Sequence, residues 1–327
     1  MANRLKLLVI GLIATTCCFE LIAQQKPIVS TYMFNPLPLN PAMAGRLNQL
    51  SITVMNRDQW VNIDGAPSLQ TLTAENSFRS NQIGAGLMLT NDQVGIHKEV
   101  SLYTAYAYKI PMRRGVVSMG LQGGFNSRRS DFTQLNVRDE NDNLLSGSPR
   151  TFNPNFGTGI YYQDTKSYIG ISVPYILSPK AFDVNLDTGE ASESREVRYY
   201  YMYAGTAIGL SGSYHDSQIL FNPSVLAKIP ERGPISFDIN AMIIFREKQS
   251  SVYTNRERVY AGISWRFDDS VIALVQFVLN DNFRVGYAYD AVTSALTRYS
   301  NGSHEIMLNY RIPIKNHKKN PDCPTFI

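Results

Sequence analysis

The sequence predicts an all-β chain: a transmembrane antiparallel β-barrel of about fourteen strands, preceded by a short irregular plug-like segment. Three observations predict it. The first residues read as an export leader. No run of about 18 consecutive apolar residues follows that leader, so a transmembrane helix is excluded on length. Between roughly residues 49 and 312, apolar side chains recur with period two, the pattern of strands with one apolar face.

The leader spans residues 1–23. Arg4 and Lys6 precede the apolar run Leu7 to Ile13, and Leu21-Ile22-Ala23 precedes Gln24, which predicts cleavage after Ala23. Cys17-Cys18 raises a lipoprotein reading, but Ala14-Thr15-Thr16 lacks the small residue usually found directly before a lipidated cysteine. If both cysteines leave with the leader, Cys323 alone remains, and no intramolecular disulfide framework is available. The formal charge falls from +4 to +3 once Arg4, Lys6 and Glu20 leave. That is too small for a polyanionic partner, so nucleic acid is not expected. The 19 Tyr and 15 Phe against 4 His favour pleated sheet and apolar contact over polar catalysis. Tyrosine also suits a lipid–water interface, where its ring is apolar and its hydroxyl wet.

Residues 24–47 are too proline-rich for a strand. Pro36, Pro38 and Pro41 cannot donate to a ladder, so this stretch is expected to be irregular or a plug in the barrel mouth. The barrel is expected over 48–313. Ile235, Phe237, Ile239, Ala241, Ile243 and Phe245 fall on one face of a strand; Ser236, Asp238, Asn240, Met242, Ile244 and Arg246 fall on the other. Phe283, Val285, Tyr287 and Tyr289 likewise oppose Arg284, Gly286, Ala288 and Asp290. Near the end, Ile306, Leu308, Tyr310 and Ile312 oppose Glu305, Met307, Asn309 and Arg311.

A soluble sandwich alternates in the same way, so strand number and length must separate the two. The segments lie near 51–57, 68–75, 82–90, 99–110, 115–125, 154–162, 166–174, 196–208, 217–228, 234–246, 257–266, 270–279, 283–290 and 303–313. An even number of strands of this length suits a closed barrel, because unpaired edges are too costly in lipid. With the N-terminus in the periplasm, turns after even-numbered strands should be short. The turns at Pro111-Met112-Arg113-Arg114, Gln163-Asp164-Thr165 and Asn280-Asp281-Asn282 obey, and the long connections at 126–153 and 175–195 follow odd-numbered strands. The polar stretch 247–256 disobeys. A basic tail, 314–327, ends in Cys323-Pro324-Thr325-Phe326-Ile327 and is expected outside the barrel.

Several motifs stand out. Tyr32-Met33-Phe34-Asn35-Pro36-Leu37 precedes Asn40-Pro41-Ala42-Met43-Ala44-Gly45. Arg57-Asp58-Gln59-Trp60-Val61-Asn62-Ile63-Asp64-Gly65-Ala66-Pro67 and Gln70-Thr71-Leu72 follow. Asn153-Pro154-Asn155-Phe156-Gly157, with Gly159-Ile160-Tyr161-Tyr162, and Gly302-Ser303-His304-Glu305-Ile306-Met307-Leu308 complete the set. In this order they resemble the PorP/SprF family, and the resemblance covers essentially the whole mature chain; Glu75-Asn76 departs from it where the family often carries a histidine.

The resemblance implies an outer-membrane component of the Bacteroidetes type IX protein secretion and gliding machinery. Its implied partners are outer-membrane lipid, other secretion or gliding components such as periplasmic ring lipoproteins, and a cargo adhesin.

The residues themselves carry a narrower content. Asp64-Gly65 supplies a tight turn, Pro67 sets the entry to the second strand, and Asn35 and Asn40 can tie down nearby backbone. Tyr32, Asn35, Pro36, Asn40, Pro41, Trp60, Asp64, Gly65 and Pro67 are therefore the candidate site, either holding a plug and first external loop or contacting a partner. Trp60 fits an interfacial belt or a partner anchor. Tyr199, Tyr200, Tyr201 and Tyr203 fit an aromatic girdle or a ligand site.

No catalytic constellation is visible. His97, His215, His304 and His317 are scattered, and Glu305 should project from the face opposite its neighbour His304. The acidic run Asp139-Glu140-Asn141-Asp142 reads as a solvated loop, and no cofactor or metal is expected. Two functions remain open: a non-enzymatic, partner-binding secretion barrel, or a passive channel for hydrophobic small molecules resembling the FadL fold. A channel of that kind should have an apolar lumen. Asp238, Asn240, Arg246, Arg284, Glu305, Asn309 and Arg311 predict a polar one.

Overall fold

A computed structural model describes residues 29–79, 81–132, 150–178, 180–184, 191–248 and 256–313. The leader, the acidic run 139–142, the basic tail and most of the 247–256 connection lie outside the described residues.

The strands are β1 (Gln49–Asp58), β2 (Ser68–Phe78), β3 (Ile83–Val94), β4 (His97–Met112), β5 (Gly115–Ser130), β6 (Arg150–Gln163) and β7 (Ser167–Val173). A two-stranded hairpin follows, β8 (Lys180–Val184) with β9 (Ala191–Arg195). Then come β10 (Tyr199–Thr206), β11 (Ile208–Gly209), β12 (Ile219–Pro230), β13 (Ser236–Glu247), β14 (Arg256–Arg266), β15 (Ser270–Val278), β16 (Phe283–Val292) and β17 (Ser303–Pro313). Each wall strand pairs antiparallel with its chain neighbours, β1 pairs with β17, and β10 pairs with β12. The result is a closed barrel of fourteen strands, one for each expected segment, with β11 as a short extension alongside β12.

Burial decides between barrel and sandwich. In β13, Phe237, Ile239, Ile243 and Phe245 are exposed, whereas Asp238, Asn240, Met242 and Ile244 are buried. In β17, Ile306, Leu308, Tyr310 and Ile312 are exposed, and Glu305, Met307, Asn309 and Arg311 are buried. A soluble sandwich would turn the apolar set inward. Here it faces out around the wall, as contact with lipid requires.

Gln49 opens β1 opposite Pro313, the last residue of β17, so the first wall strand starts and the last one finishes at the same rim. That rim also carries the short turns at 113–114, 164–166 and 279–282, which makes it the periplasmic side. The 248–255 connection stays long there. The stretch from Ala207 to Gln218 is a second long connection on this rim. It folds back so that Arg246 donates to the Tyr214 carbonyl at 2.7 Å, its guanidinium 5.0 Å from the Tyr214 ring centre.

β4 and β5 have 16 residues each, longer than the 9–11 or so that cross a bilayer. Their outer ends carry Lys98, Glu99, Arg128 and Arg129 and stand beyond the apolar band. Arg128 pairs there with Glu99 at 2.8 Å and with Glu196 at 2.9 Å.

One aromatic expectation is corrected. On β10 only Tyr200 faces lipid with Met202, whereas Tyr199, Tyr201 and Tyr203 face inward, because strand alternation splits consecutive tyrosines between faces. Trp60 lies on no strand. It belongs to the β1–β2 connection, half-buried, with φ 51°.

Candidate functional site

The lumen is filled by the chain's own N-terminal segment. From Ser30 to Leu47 nearly every residue is buried, although the only regular element is a 3-10 turn at Pro41–Met43. The prolines explain the irregular path, since a segment without a full set of N–H donors cannot join a ladder. Its remaining polar groups must be met by the wall.

The segment enters near the outer end of the lumen. Glu305 accepts the backbone N–H of Ser30 at 2.7 Å and of Thr31 at 2.9 Å, and it also accepts the Thr31 hydroxyl. Ser30 Oγ donates to Asp290 Oδ2 at 2.7 Å, and Arg57 NH1 donates to Ser30 Oγ at 2.9 Å. Below this, Asn240 donates to the Tyr32 hydroxyl at 2.7 Å. Asn35 accepts from Thr73 at 3.2 Å and lies against Met55 Sδ at 3.7 Å, so it engages side chains of the wall.

Asn40 caps the 3-10 turn by accepting from Ala42 N–H at 2.9 Å, and its amide donates to Tyr203 OH at 3.0 Å and the Ile160 carbonyl at 3.2 Å. Ser172 and Ser118 donate to the carbonyls of Leu39 and Ala42, each at 2.6 Å. At the periplasmic end Gly45 N–H donates to Glu75 at 3.0 Å, and Lys109 donates to the Gly45 carbonyl. Apolar contact completes the fit, with Tyr32, Met33, Leu39 and Met43 packed against Tyr161, Tyr168, Tyr203, Leu226 and Ile244.

Two wall glycines let the segment lie this close. A Cβ at Gly120 would stand 2.1 Å from Ala42 N, and one at Gly159 would stand 2.1 Å from Asn40 Oδ1.

The outer tether belongs to a buried belt of alternating charge. Lys228 Nζ meets Asp238 at 2.7 Å; Asp238 meets Arg266 at 3.2 Å; Arg266 reaches Asp290 at 3.6 Å. Arg57 closes the series on Asp290 at 2.7 Å and Glu305 at 3.1 Å. Three cations and three carboxylates thus alternate across β12, β13, β14, β16, β1 and β17, with none of their side chains more than 4% exposed. Such charges are tolerable in a water-poor interior because each is paired and hydrogen-bonded.

The other candidate residues lie outside, in the connection 59–67. Gln59 N–H donates to the Pro67 carbonyl and Gly95 N–H to the Gly65 carbonyl, at 2.9 and 2.8 Å. Trp60 N–H donates to Ser303 Oγ at 3.2 Å, and Val61 exchanges two backbone bonds with Asn301 and Gly302. Trp60 and Asn62 both adopt left-handed backbone, with φ 51° and 79°, an unusual state for residues with a Cβ. Gly65 turns the chain at φ 72°. The stapled loop frames an open cleft of about 410 Å³, bordered by Asp58, Asp64, Gly65 and Pro67. The candidate residues therefore form two groups: Tyr32, Asn35, Pro36, Asn40 and Pro41 inside the barrel, and Trp60, Asp64, Gly65 and Pro67 on its outer rim.

A family model for the type IX secretion system membrane protein PorP/SprF matches residues 21–310. The chain belongs to the PorP/SprF family. As a PorP/SprF barrel it is an outer-membrane protein. It has no match among curated protein sequences. Among solved structures, the CymD monoaromatic hydrocarbon channel is 12% identical with a TM-score of 0.53, over 87% of this chain and 94% of that one. Outer membrane protein Omp33 of Acinetobacter baumannii is 8% identical with a TM-score of 0.44, over 81% and 98%. The likeness to CymD is one of fold.

In this PorP/SprF chain the family motifs frame the tether. Arg57 opens the second motif and Glu305 sits in the last, and the two meet across the β1–β17 closure. The belt partners Lys228, Arg266 and Asp290 lie outside the motifs. Their one legible signal is a charge on the strand face opposite the apolar side chains.

Proposed function

We propose that this PorP/SprF protein is a non-enzymatic component of the type IX secretion and gliding machinery that works by binding protein partners, a secreted adhesin or periplasmic ring lipoproteins, and not by conducting solutes. The observation that carries this reading is the plug: residues 30–47 occupy the lumen and are bonded to the wall from Glu305 at the outer end to Glu75 at the periplasmic end. A barrel so filled has its rims left for function. The outer rim offers the stapled 59–67 loop with its cleft, and the periplasmic rim offers the 207–218 and 248–255 connections. On this reading residues 1–23 are removed after export.

The second reading is a FadL-like passive channel for hydrophobic small molecules, favoured by the fold shared with a hydrocarbon channel. The charged belt across the lumen speaks against it, because an apolar solute gains nothing by displacing paired charges. Affinity purification of the tagged protein from its native outer membrane, followed by mass spectrometry, tests the two. Co-recovery of ring lipoproteins or a large secreted adhesin is the expected result. A clean monomer carrying bound apolar small molecules would overturn the proposal.

A further inference from the structure

The periplasmic end of the lumen is built differently from the outer end. Outside, cations and carboxylates alternate in direct contact. At the periplasmic end, Arg46 lies near the end of the plug segment, Arg284 is the second residue of β16 and Arg311 lies two residues before the end of β17. The charges of Arg46 and Arg284 both act on the Arg311 guanidinium. Among the described residues no ion pair holds any of the three. Two carboxylates lie nearby, Glu75 acting on Arg46 and Arg311 and Glu257 on Arg284 and Arg311, and each also accepts from a local donor, Glu75 from Gly45 N–H and Glu257 from the Tyr260 hydroxyl, so the cations outnumber them.

Their hydrogen-bonding capacity is also largely unspent. Arg46 Nε and Arg284 NH1 are buried without a partner, and Arg311, 6% exposed, uses only Nε, on Asn309 at 2.8 Å. Arg46 and Arg311 line one cavity of about 20 Å³. Its other polar lining includes Asn222, Ser224, Gln276 and Tyr168, each able to donate. A space of that size holds one or two water-sized groups, room for one or two oxygens of an anionic head. Like charges gathered in a poorly hydrated space repel, and a donor-lined cavity between them is the arrangement that binds an anion.

We propose that this vestibule is a binding site for a small oxyanion, a carboxylate or phosphate group, held by Arg46 and Arg311, with Arg284 adding positive charge nearby. Arg46 comes from the plug and Arg311 from the wall, so the bound anion clamps the plug's exit to β17. The planar guanidinium fork suits two-oxygen recognition of this chemistry. A lipid headgroup is excluded as the source because the site faces the lumen. The source is either a free anion or the carboxylate of a periplasmic ligand. The site does not depend on which proteins the rims bind.

Titration calorimetry on the full-length, detergent-solubilised barrel tests this, with inorganic phosphate and acetate as free-anion probes and a short peptide with a free C-terminal carboxylate as the third. Saturable binding is expected for at least one probe, weakened about tenfold or more in both Arg46→Gln and Arg311→Gln. Arg46 lies in the plug and not in the wall, so its variant keeps the test open if Arg311→Gln does not fold. Saturation by phosphate or acetate identifies a free anion; saturation by the peptide alone identifies a presented carboxylate. Absence of saturation by all three probes, or equal affinity in wild type and the Arg46 variant, would overturn the site.

Discussion

Glu305 of β17 receives the backbone N–H of Ser30 at 2.7 Å across 275 residues of sequence, and this bond joins the plug to the strand that closes the barrel. The same carboxylate pairs with Arg57, so the contact holds the plug and helps neutralise the belt.

Glu305→Leu should loosen the plug and leave Arg57 with Asp290 alone. Stranding part of a buried ion pair costs about 3–5 kcal/mol. A urea titration, followed by the mobility difference between folded and heat-denatured barrel, should show that loss. Planar-bilayer recording should show channel openings absent from wild type. A variant as stable and as silent as wild type would contradict the tether.

Gly120→Val tests the plug's fit from the opposite wall. Its Cβ would meet Ala42 N at 2.1 Å and the Pro41 carbonyl carbon at 2.3 Å, which the backbone there cannot accommodate in place. The barrel should still fold, because its ladder and lipid face are untouched, but residues 40–43 must withdraw. Limited proteolysis should cut the plug in the variant and spare it in wild type. Equal protection would mean that the segment is seated differently.

Lys228 and Asp238 form the most enclosed pair, 1% and 0% exposed. Lys228→Met should cost up to about 3–5 kcal/mol, and adding Asp238→Asn should restore part of it, because the single variant leaves Asp238 to Arg266 alone and the second change removes that under-compensated charge. Arg266 retains Asp269 and Asp290 in the double variant. A double-mutant cycle in urea should give a coupling of at least about 1 kcal/mol; purely additive costs would show that the two do not act as a pair.

Leu121 is 63% exposed, on the outward face of β5 between Met119 and Phe125. Leu121→Arg should destabilise the barrel by about 2–4 kcal/mol in lipid vesicles, the cost of a cation near the middle of the bilayer. A neutral effect would place this band outside the membrane.

Cleavage after Ala23 predicts a mature chain beginning at Gln24 and retaining only Cys323. Intact mass of the protein from outer membranes should match that start, with one alkylatable thiol. A mass carrying a lipid on Cys17 or Cys18 would replace the signal-peptide reading with a lipoprotein.

Much of the wall is legible in the amino-acid order because alternation is local. Fourteen segments of period two, and the sides on which Asp238, Asn309 and Arg311 fall, follow from the pleat once the strand is recognised. The proline-rich segment announces that it is no strand for an equally local reason. Local pattern does not say which face meets lipid, since a sandwich alternates too; closure of β10 on β12 and of β1 on β17 settled that. Nor could four tyrosines within five positions reveal that Tyr201 and Tyr203 turn inward, which depends on how β10 sits against β7. The Arg57–Glu305 tether, the belt through Lys228 and the vestibule between Arg46 and Arg311 join residues up to 265 positions apart. Their partners are chosen by barrel geometry, which brings β1 and β17 to one seam and encloses the plug within the wall they close.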